Sequence, residues 1–191
     1  MLYHKRIELD GWQTAADQVY KFVKTNTNIL RGSAFWTILH RDKHKPCYDA
    51  LDPVFNAVGF NLLRISFLMV SQPEIDIHED KDFIPGYSDR NARINIPIAN
   101  CEQSETRFYS SVNWKPITKT LPNGIKYTYH DINDCKLESS VSVTEPTILR
   151  VRELHNVVTL GSYPRIALTC AVDPDPIYLL EGNQDGNKEN S

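Results

Sequence analysis

The sequence predicts a mainly β domain, a double-sheet jelly roll with helices packed on one outer face. A length of 191 residues suits one domain with a substantial core. Residues 1–59 carry helical patterns, and residues 60–173 form short β-rich runs separated by Pro, Gly, Asn or Asp. We therefore expect a single domain over residues 1–180. Residues 181–191 contain no large apolar residue and should form a disordered tail.

Two helices are predicted in the first third of the chain, where they would support the β core. Apolar residues recur at helical spacing through WQTAADQVYKFVK, residues 12–24, after a start at Asp10-Gly11. A second helix should run through CYDALDPVFNAVG, residues 47–59, with an interruption near Pro53.

The β region begins at Phe60. Its strand candidates, in chain order, are FNLLRISFLMV, EIDIHE, RINIPI, TRFYSSV, IKYTYHDI, LESSVSV, TILRVRE, HNVVTLG and PRIALTCAV. This number of short strands with turn residues in most of the gaps is typical of two packed sheets.

Composition argues against several classes of partner. The chain has 21 basic and 24 acidic residues and a pI of about 6.1, so we expect no nucleic-acid partner and no binding to anionic membranes. The N-terminus lacks the apolar core of a signal peptide, which indicates a cytoplasmic protein. Four scattered cysteines form no CxxC pair, and we expect free thiols instead of a zinc cluster.

The run IDIHED, residues 75–80, alternates apolar and polar residues. Side chains two positions apart in a strand point the same way, so His78 and Asp80 should share a face with Asp76. Glu79 should point to the other side. If a carboxylate next to His78 joins it on one metal ion, this geometry selects Asp80 over Glu79.

Other strands also divide into one polar and one apolar face. The polar positions are Arg93 and Asn95 in RINIPI, Arg107 and Tyr109 in TRFYSSV, and Arg165 and Thr169 in PRIALTCAV. Each polar face alone is typical of a solvent-exposed antiparallel sheet. Taken together, the polar faces could line a wet cavity inside the roll.

The ordered set His78-x-Asp80, His155 and Arg165, ten positions after His155, resembles the Fe(II)- and 2-oxoglutarate-dependent dioxygenases. The resemblance spans about residues 60 to 173. RINIPI is similar to a strand of the small aspartyl/asparaginyl-hydroxylase-like and phage or bacterial members. The resemblance implies a double-stranded β-helix, a cupin-like jelly roll. It also implies that His78, Asp80 and His155 bind Fe(II), and that Arg165 binds the distal carboxylate of 2-oxoglutarate.

The sequence departs from this family on the last strand. Many members carry Arg-x-Ser there, whereas this chain has Arg165-Ile166-Ala167. Thr169 shares the face of Arg165 and could replace the missing hydroxyl. Asn95, Tyr109 and Arg93 could supply further contacts to the cosubstrate from neighbouring strands.

Two histidines and one carboxylate on one face of an octahedral ion leave three positions open, the pattern of non-heme Fe(II) oxygenases. The resemblance implies a hydroxylase that uses dioxygen on an amino acid, a peptidyl side chain or a small metabolite. Residues 82–91 would then form either a loop that contacts the substrate or a plain connecting loop. Two alternatives stay open: a non-catalytic cupin-like module that binds a metal or another ligand, and a redox-independent cupin isomerase. The sequence does not determine the oligomeric state.

Overall fold

A computed structural model of the chain describes residues 1–30, 36–80, 90–120 and 126–182. Its helices are α1 (Trp12–Thr25), α2 (Lys45–Asn56) and α3 (Tyr178–Glu181). Its strands are β1 (His4–Arg6), β2 (Trp36–Leu39), β3 (Asn61–Val70), β4 (Ala92–Ala99), β5 (Ser104–Ser111), β6 (Ile117–Thr120), β7 (Lys126–Tyr129), β8 (Cys135–Val141), β9 (Thr147–Arg150), β10 (Leu154–Thr159) and β11 (Arg165–Asp173).

The strands form two main antiparallel sheets and a hairpin. The major sheet has the order β1-β9-β4-β11-β3-β2, the minor sheet has the order β10-β5-β8, and β6 pairs with β7. Phe108 of the minor sheet packs with Leu149 of the major sheet, and Val157 packs with Val70 in the same way. The two sheets therefore face each other, as the predicted jelly roll requires.

The helices cover the outer face of the major sheet. Side chains from α1 and α2 join one apolar cluster with alternate residues of β3, β4 and β11, including Ile94 and Leu168. The hydroxyl of Tyr48 on α2 donates to the carbonyl of Leu39 at 2.6 Å and accepts from the amide of Ile65 at 3.3 Å. Each apolar side chain buried in this cluster stabilises the fold by about 1.5–3 kcal/mol.

Helix α2 continues through Pro53, where the sequence predicted an interruption. Pro53 has no amide hydrogen to donate to the carbonyl of Asp49, one turn earlier. Both residues are exposed, so water can satisfy that carbonyl at little cost. Helix α1 begins after Gly11, whose positive φ of 75° suits glycine.

The first 59 residues supply strands as well as helices. Strand β1 pairs with β9, and β2 pairs with β3, at opposite edges of the major sheet. Residues 81–89 and 183–191, which contain most of the predicted substrate loop and tail, lie outside the described residues. No helix in the described ranges combines the length and apolar character needed to cross a bilayer.

Candidate active site

Two histidines from distant parts of the sequence form a hydrogen-bonded pair inside the roll. The amide of His78 donates to the carbonyl of His155 at 2.9 Å, and the amide of His155 donates back at 2.8 Å. Their ring centroids are 4.6 Å apart. Around this pair, the segment at residues 74–78 makes only single antiparallel contacts with its neighbours, although the sequence predicted a continuous strand.

Both imidazole rings are oriented in the same manner. The Nδ1–H of His78 donates to the carbonyl of Asp76 at 2.8 Å, and the Nδ1–H of His155 donates to the carbonyl of Glu153 at 2.9 Å. A neutral imidazole with hydrogen on Nδ1 keeps its lone pair on Nε2. These bonds therefore leave both Nε2 atoms able to bind an ion, as the outer hydrogen bonds of metal-binding histidines usually do.

Asp80 completes a triad with the two histidines. Its amide donates to the carbonyl of Val151 at 2.9 Å, and its Oδ1 lies 3.5 Å from the Nε2 of His78. One ligand atom from each of the three residues lies within 4.8 Å of the other two. In the described ranges this is the one group of three or more His, Cys, Asp or Glu side chains with such geometry.

The three side chains have opposed protonation preferences. Burial and the neighbouring His78 lower the pKa of His155 to about 4. Burial disfavours the charged form of His78 as well, but its contact with Asp80 outweighs that effect and raises the pKa of His78. Hydrogen bonding from His78 and the charge of His155 lower the pKa of Asp80, against the effect of burial. The triad thus contains an ionised carboxylate and one imidazole that resists protonation.

This donor set fits a divalent first-row transition metal. Two neutral imidazoles and one carboxylate match the facial triad of non-heme iron sites and leave coordination positions open. Asp76, which alternation placed beside them, instead forms an ion pair with Lys119 of β6. Glu79 is not a member of the triad, in agreement with the prediction from alternation.

Arg165 is a buried cation on the inner face of the major sheet. It is 1 % exposed, and burial lowers its pKa. The guanidinium contacts the side chain of Cys101, but its buried Nε and Nη1 make no hydrogen bond within the described residues. Because an unpaired buried charge is costly, this site is suited to an anionic ligand.

The strand register places Arg165 at a different level of the roll from the triad. Val157 follows His155 by two residues on β10 and packs with Val70, the partner of Arg165 on β3. Arg165 thus lies nearer to Val157 than to His155 itself.

Polar side chains continue along the inner face of β11, β4 and β9. Thr169 donates to the Oδ1 of Asn95 at 2.5 Å, and these two residues are cross-strand partners on β11 and β4. Thr147 of β9 is buried on the other side of Asn95. The structure thus brings Asn95 and Thr169 together on the inner face that carries Arg165.

Tyr109 and Arg93 are placed differently from each other. Tyr109 pairs with Leu154, the residue before His155, and therefore points away from the interior. Its hydroxyl donates to Asn156 at 3.2 Å. The inward position of β5 belongs to Phe108, so the apolar face of this strand, and not its polar face, lines the interior. Arg93 does lie on the inner face and is 2 % exposed.

Sequence reasoning missed one buried cation in this interior. Arg64 of β3 pairs with Ala171 of β11, and it is 8 % exposed. A signal was present, because Arg64 is the one charged residue in the otherwise largely apolar run FNLLRISFLMV.

Comparisons with known proteins find similarity only at the level of solved structures. No protein-family model matches the chain, and no curated protein is significantly similar. AviO1 from Streptomyces viridochromogenes is 9% identical over 91% of this chain and 90% of its own, with a TM-score of 0.49. The viral collagen prolyl hydroxylase from Paramecium bursaria Chlorella virus-1 is 14% identical over 89% and 88%, with a TM-score of 0.47.

A third similar structure is the epimerase SnoN in complex with Fe3+, alpha-ketoglutarate and nogalamycin RO. It is 12% identical over 99% of this chain and 88% of its own, with a TM-score of 0.44. All three scores lie below 0.5, so the fold assignment rests on the strand order of the chain itself. That order, with two facing antiparallel sheets and helices on one outer face, is a double-stranded β-helix.

Proposed function

We propose that the protein is an Fe(II)- and 2-oxoglutarate-dependent dioxygenase that hydroxylates a small molecule or a peptidyl side chain, with release of succinate and carbon dioxide. The observation that carries the proposal is that the same interior holds both the triad and Arg165, a buried guanidinium whose Nε and Nη1 make no hydrogen bond within the described residues. A metal site alone does not need Arg165, whereas a dicarboxylic cosubstrate that reaches from the metal does.

His78, Asp80 and His155 would hold the iron. When bound with 2-oxoglutarate and dioxygen, the iron supplies the oxidising power for insertion of oxygen into a C–H bond. The carbonyls of Asp76 and Glu153 keep both imidazoles in the tautomer that presents Nε2. The carboxylate of Asp80 partly neutralises the ion.

Arg165 would bind the distal carboxylate of 2-oxoglutarate through the planar, bidentate arrangement that guanidinium groups favour. Thr169 would replace the serine hydroxyl missing at Ala167; its one proton is donated to the Oδ1 of Asn95 in the free protein and would turn to the carboxylate when the cosubstrate binds. Val70 and Val157 pack beside this position and exclude water, which strengthens the charge interaction. Tyr109, on the outer face of β5, is not needed for this role.

The proposal is tested by anaerobic titration. Fe(II) and 2-oxoglutarate added together should give the visible charge-transfer band of the iron chelate, and admission of oxygen should then release succinate. His78→Ala should lose both signals. Absence of the band and of succinate in wild type would refute the enzymatic function and leave the metal-binding module.

A matched variant separates iron binding from cosubstrate binding. Arg165→Gln should keep the iron, measured by equilibrium dialysis, and lose the band at moderate 2-oxoglutarate concentrations. Equal loss of iron and 2-oxoglutarate in a folded variant would show that Arg165 has a structural role instead.

A further inference from the structure

The segment that carries the first histidine of the triad contains an extra residue. Glu74 lies opposite Val158 of β10, and His78 lies opposite His155. Three residues of the segment, 75–77, therefore face only two residues of β10. This arrangement is a β-bulge, a distortion that often lies beside active sites and redirects a side chain there.

The bulge changes the direction in which side chains of this segment point. Ile75 packs with Val157 inside the roll. Ile77 instead packs with Tyr109 and Leu154 on the outer face of the minor sheet. In an unbroken strand the two isoleucines would lie on the same face, because they are two residues apart. The reversal therefore occurs within the bulge.

The metal site depends on this reversal. His78 follows Ile75 by three residues, so an unbroken strand that kept Ile75 inside would point His78 outward. With the bulge both side chains point inward, and the ring centroid of His78 lies 4.6 Å from that of His155. Loss of the bulge through a slip of one residue would turn the His78 imidazole out of the triad.

One side-chain link holds the bulge from β10. The Nδ2 of Asn156 donates to the Oε1 of Glu74 at 2.6 Å, and its Oδ1 accepts from the hydroxyl of Tyr109 at 3.2 Å. Asn156 is fully buried and belongs to the part of β10 that faces the bulge. A slip of the segment would move Glu74 away and leave the buried Nδ2 without this partner, which is costly.

A second link holds the bulge from the β6–β7 hairpin. Lys119 of β6 forms an ion pair with Asp76, the middle residue of the bulge. Just after β7, the amide of His130 donates to the carbonyl of Ile77 at 2.8 Å. The carbonyl of Asp76 accepts from the Nδ1–H of His78. The ion pair therefore holds the residue that orients this imidazole.

Neither link is expected to stabilise the fold strongly. The side chains of Lys119 and Asp76 are 44% and 37% exposed, and Glu74 is exposed as well. Ion pairs at such positions contribute little to stability. Their effect on a metal should be larger, because the outer partners of metal-binding histidines strongly influence metal affinity.

We propose that Glu74 and Lys119 are positioning residues of the metal site. Through Asn156 and Asp76 they fix the bulge in the register that points the first histidine of the triad into the roll. This inference rests on the metal site of the proposed function and adds two residues outside the triad on which that site depends.

The test uses Co(II) alone, because its visible absorption depends on its ligands and coordination geometry. Glu74→Ala and Lys119→Met should each weaken Co(II) binding by about three- to tenfold, and the double variant by about 10- to 100-fold. The Co(II) spectrum of the double variant should shift toward that of His78→Ala. Glu74→Gln and Lys119→Arg keep the bonding groups and should restore most of the affinity.

Lys136→Met is the matched control. Lys136 forms a surface ion pair with Glu138 at 3.2 Å on β8, which β5 separates from β10. Its removal should leave Co(II) affinity unchanged. The thermal midpoint Tm of every metal-free variant should fall by less than about 3 °C, as expected for the loss of an exposed ion pair.

The outcomes distinguish the two proposals. Unchanged Co(II) affinity in both Glu74→Ala and Lys119→Met, or an equal loss in Lys136→Met, overturns the positioning roles even when Fe(II) and 2-oxoglutarate give the charge-transfer band. Weaker Co(II) binding in the two variants, without that band in wild type, supports the positioning roles and refutes the dioxygenase. Absence of Co(II) binding in wild type overturns both.

Discussion

The two faces of the major sheet carry different kinds of side chain in the same strands. The outer face of β4 and β11 presents Ile94, Ile96 and Leu168 to the helices, whereas the inner face presents Arg93, Asn95 and Thr169 to the minor sheet. Strand alternation alone separates these sets. The comparison predicts that stability and ligand binding can be altered independently at neighbouring positions of one strand.

The two faces also make opposite contributions to stability. Burial of apolar side chains under α1 and α2 stabilises the fold. Burial of Arg165 without a hydrogen bond to Nε or Nη1 has the opposite effect and lowers the stability of the free protein. Substitutions on the outer face should therefore reduce stability, and substitutions on the inner face should reduce ligand binding.

The largest expected effect is on the triad. His155→Ala should abolish succinate formation and lower iron affinity by well over about a hundredfold, because loss of a ligand exceeds the effect of losing an outer hydrogen-bond partner. His130→Ala, which removes a buried histidine outside the triad, is the control and should retain iron. Iron affinity is measured by the iron content after dialysis, and activity is measured by succinate release, in each variant. Equal iron in the two variants would contradict the assignment.

The outer face is tested by Leu168→Ala. Removal of this fully buried side chain should lower the free energy of unfolding by about 2–5 kcal/mol, with unchanged affinity for 2-oxoglutarate. Urea denaturation and the anaerobic band give the two quantities. Thr169→Ala, the next residue on the opposite face, should show the reverse, a small stability change with weakened 2-oxoglutarate binding. Similar profiles for the two variants would refute the division between faces.

The inner face is tested by Arg165→Met. Loss of a charged partner to a carboxylate should weaken 2-oxoglutarate binding by about 2–4 kcal/mol, thirtyfold to nearly a thousandfold. The unliganded protein should become more stable by about 1 kcal/mol or more, because a buried charge is replaced by an apolar side chain of similar length. Calorimetric titration measures the affinity for 2-oxoglutarate, and thermal unfolding measures the stability of the unliganded protein. A less stable variant would mean that Arg165 is already compensated in the free protein.

The smallest effect concerns pH and the outer face. Burial raises the pKa of Cys47 to about 11, whereas an unfolded thiol titrates near about 8.5. Between these values the unfolded chain loses a proton that the folded chain keeps, so stability falls as pH rises, by up to about 1.4 kcal/mol per pH unit. Cys47→Ala should flatten this dependence between pH 9 and 11. If wild type and Cys47→Ala show the same slope of unfolding free energy against pH in this range, the Cys47 thiol does not cause the pH dependence.

Much of the fold could be predicted from sequence, because alternation and helical periodicity are strong in the central elements. Residues 12–24 were predicted as a helix, and α1 spans Trp12–Thr25. RINIPI and PRIALTCAV lie within one residue of β4 and β11. The mainly β, two-sheet fold class is confirmed. The approach of His78, Asp80 and His155 was also predicted, and their role as iron ligands stays a prediction.

The rest depended on contacts that a local pattern does not contain. Strand β1 has the sequence HKR, and only its pairing with β9 makes it a strand. Tyr109 was expected inside because the polar faces of several strands, β5 among them, were expected to line the interior. The minor sheet instead turns Phe108 inward to pack with Leu149. Arg64 required the register between β3 and β11, which pairs it with Ala171.

The backbone pairing of His78 with His155 joins segments that lie 77 positions apart in the chain. A chelating cluster of this kind does not exist in an unfolded chain, where the two imidazoles would rarely meet. Any ion captured there would therefore favour the native state by mass action, and thermal denaturation would shift upward with its free concentration. The fraction of protein with an ion at the triad and the fraction that is folded would therefore increase together as the free iron concentration increases.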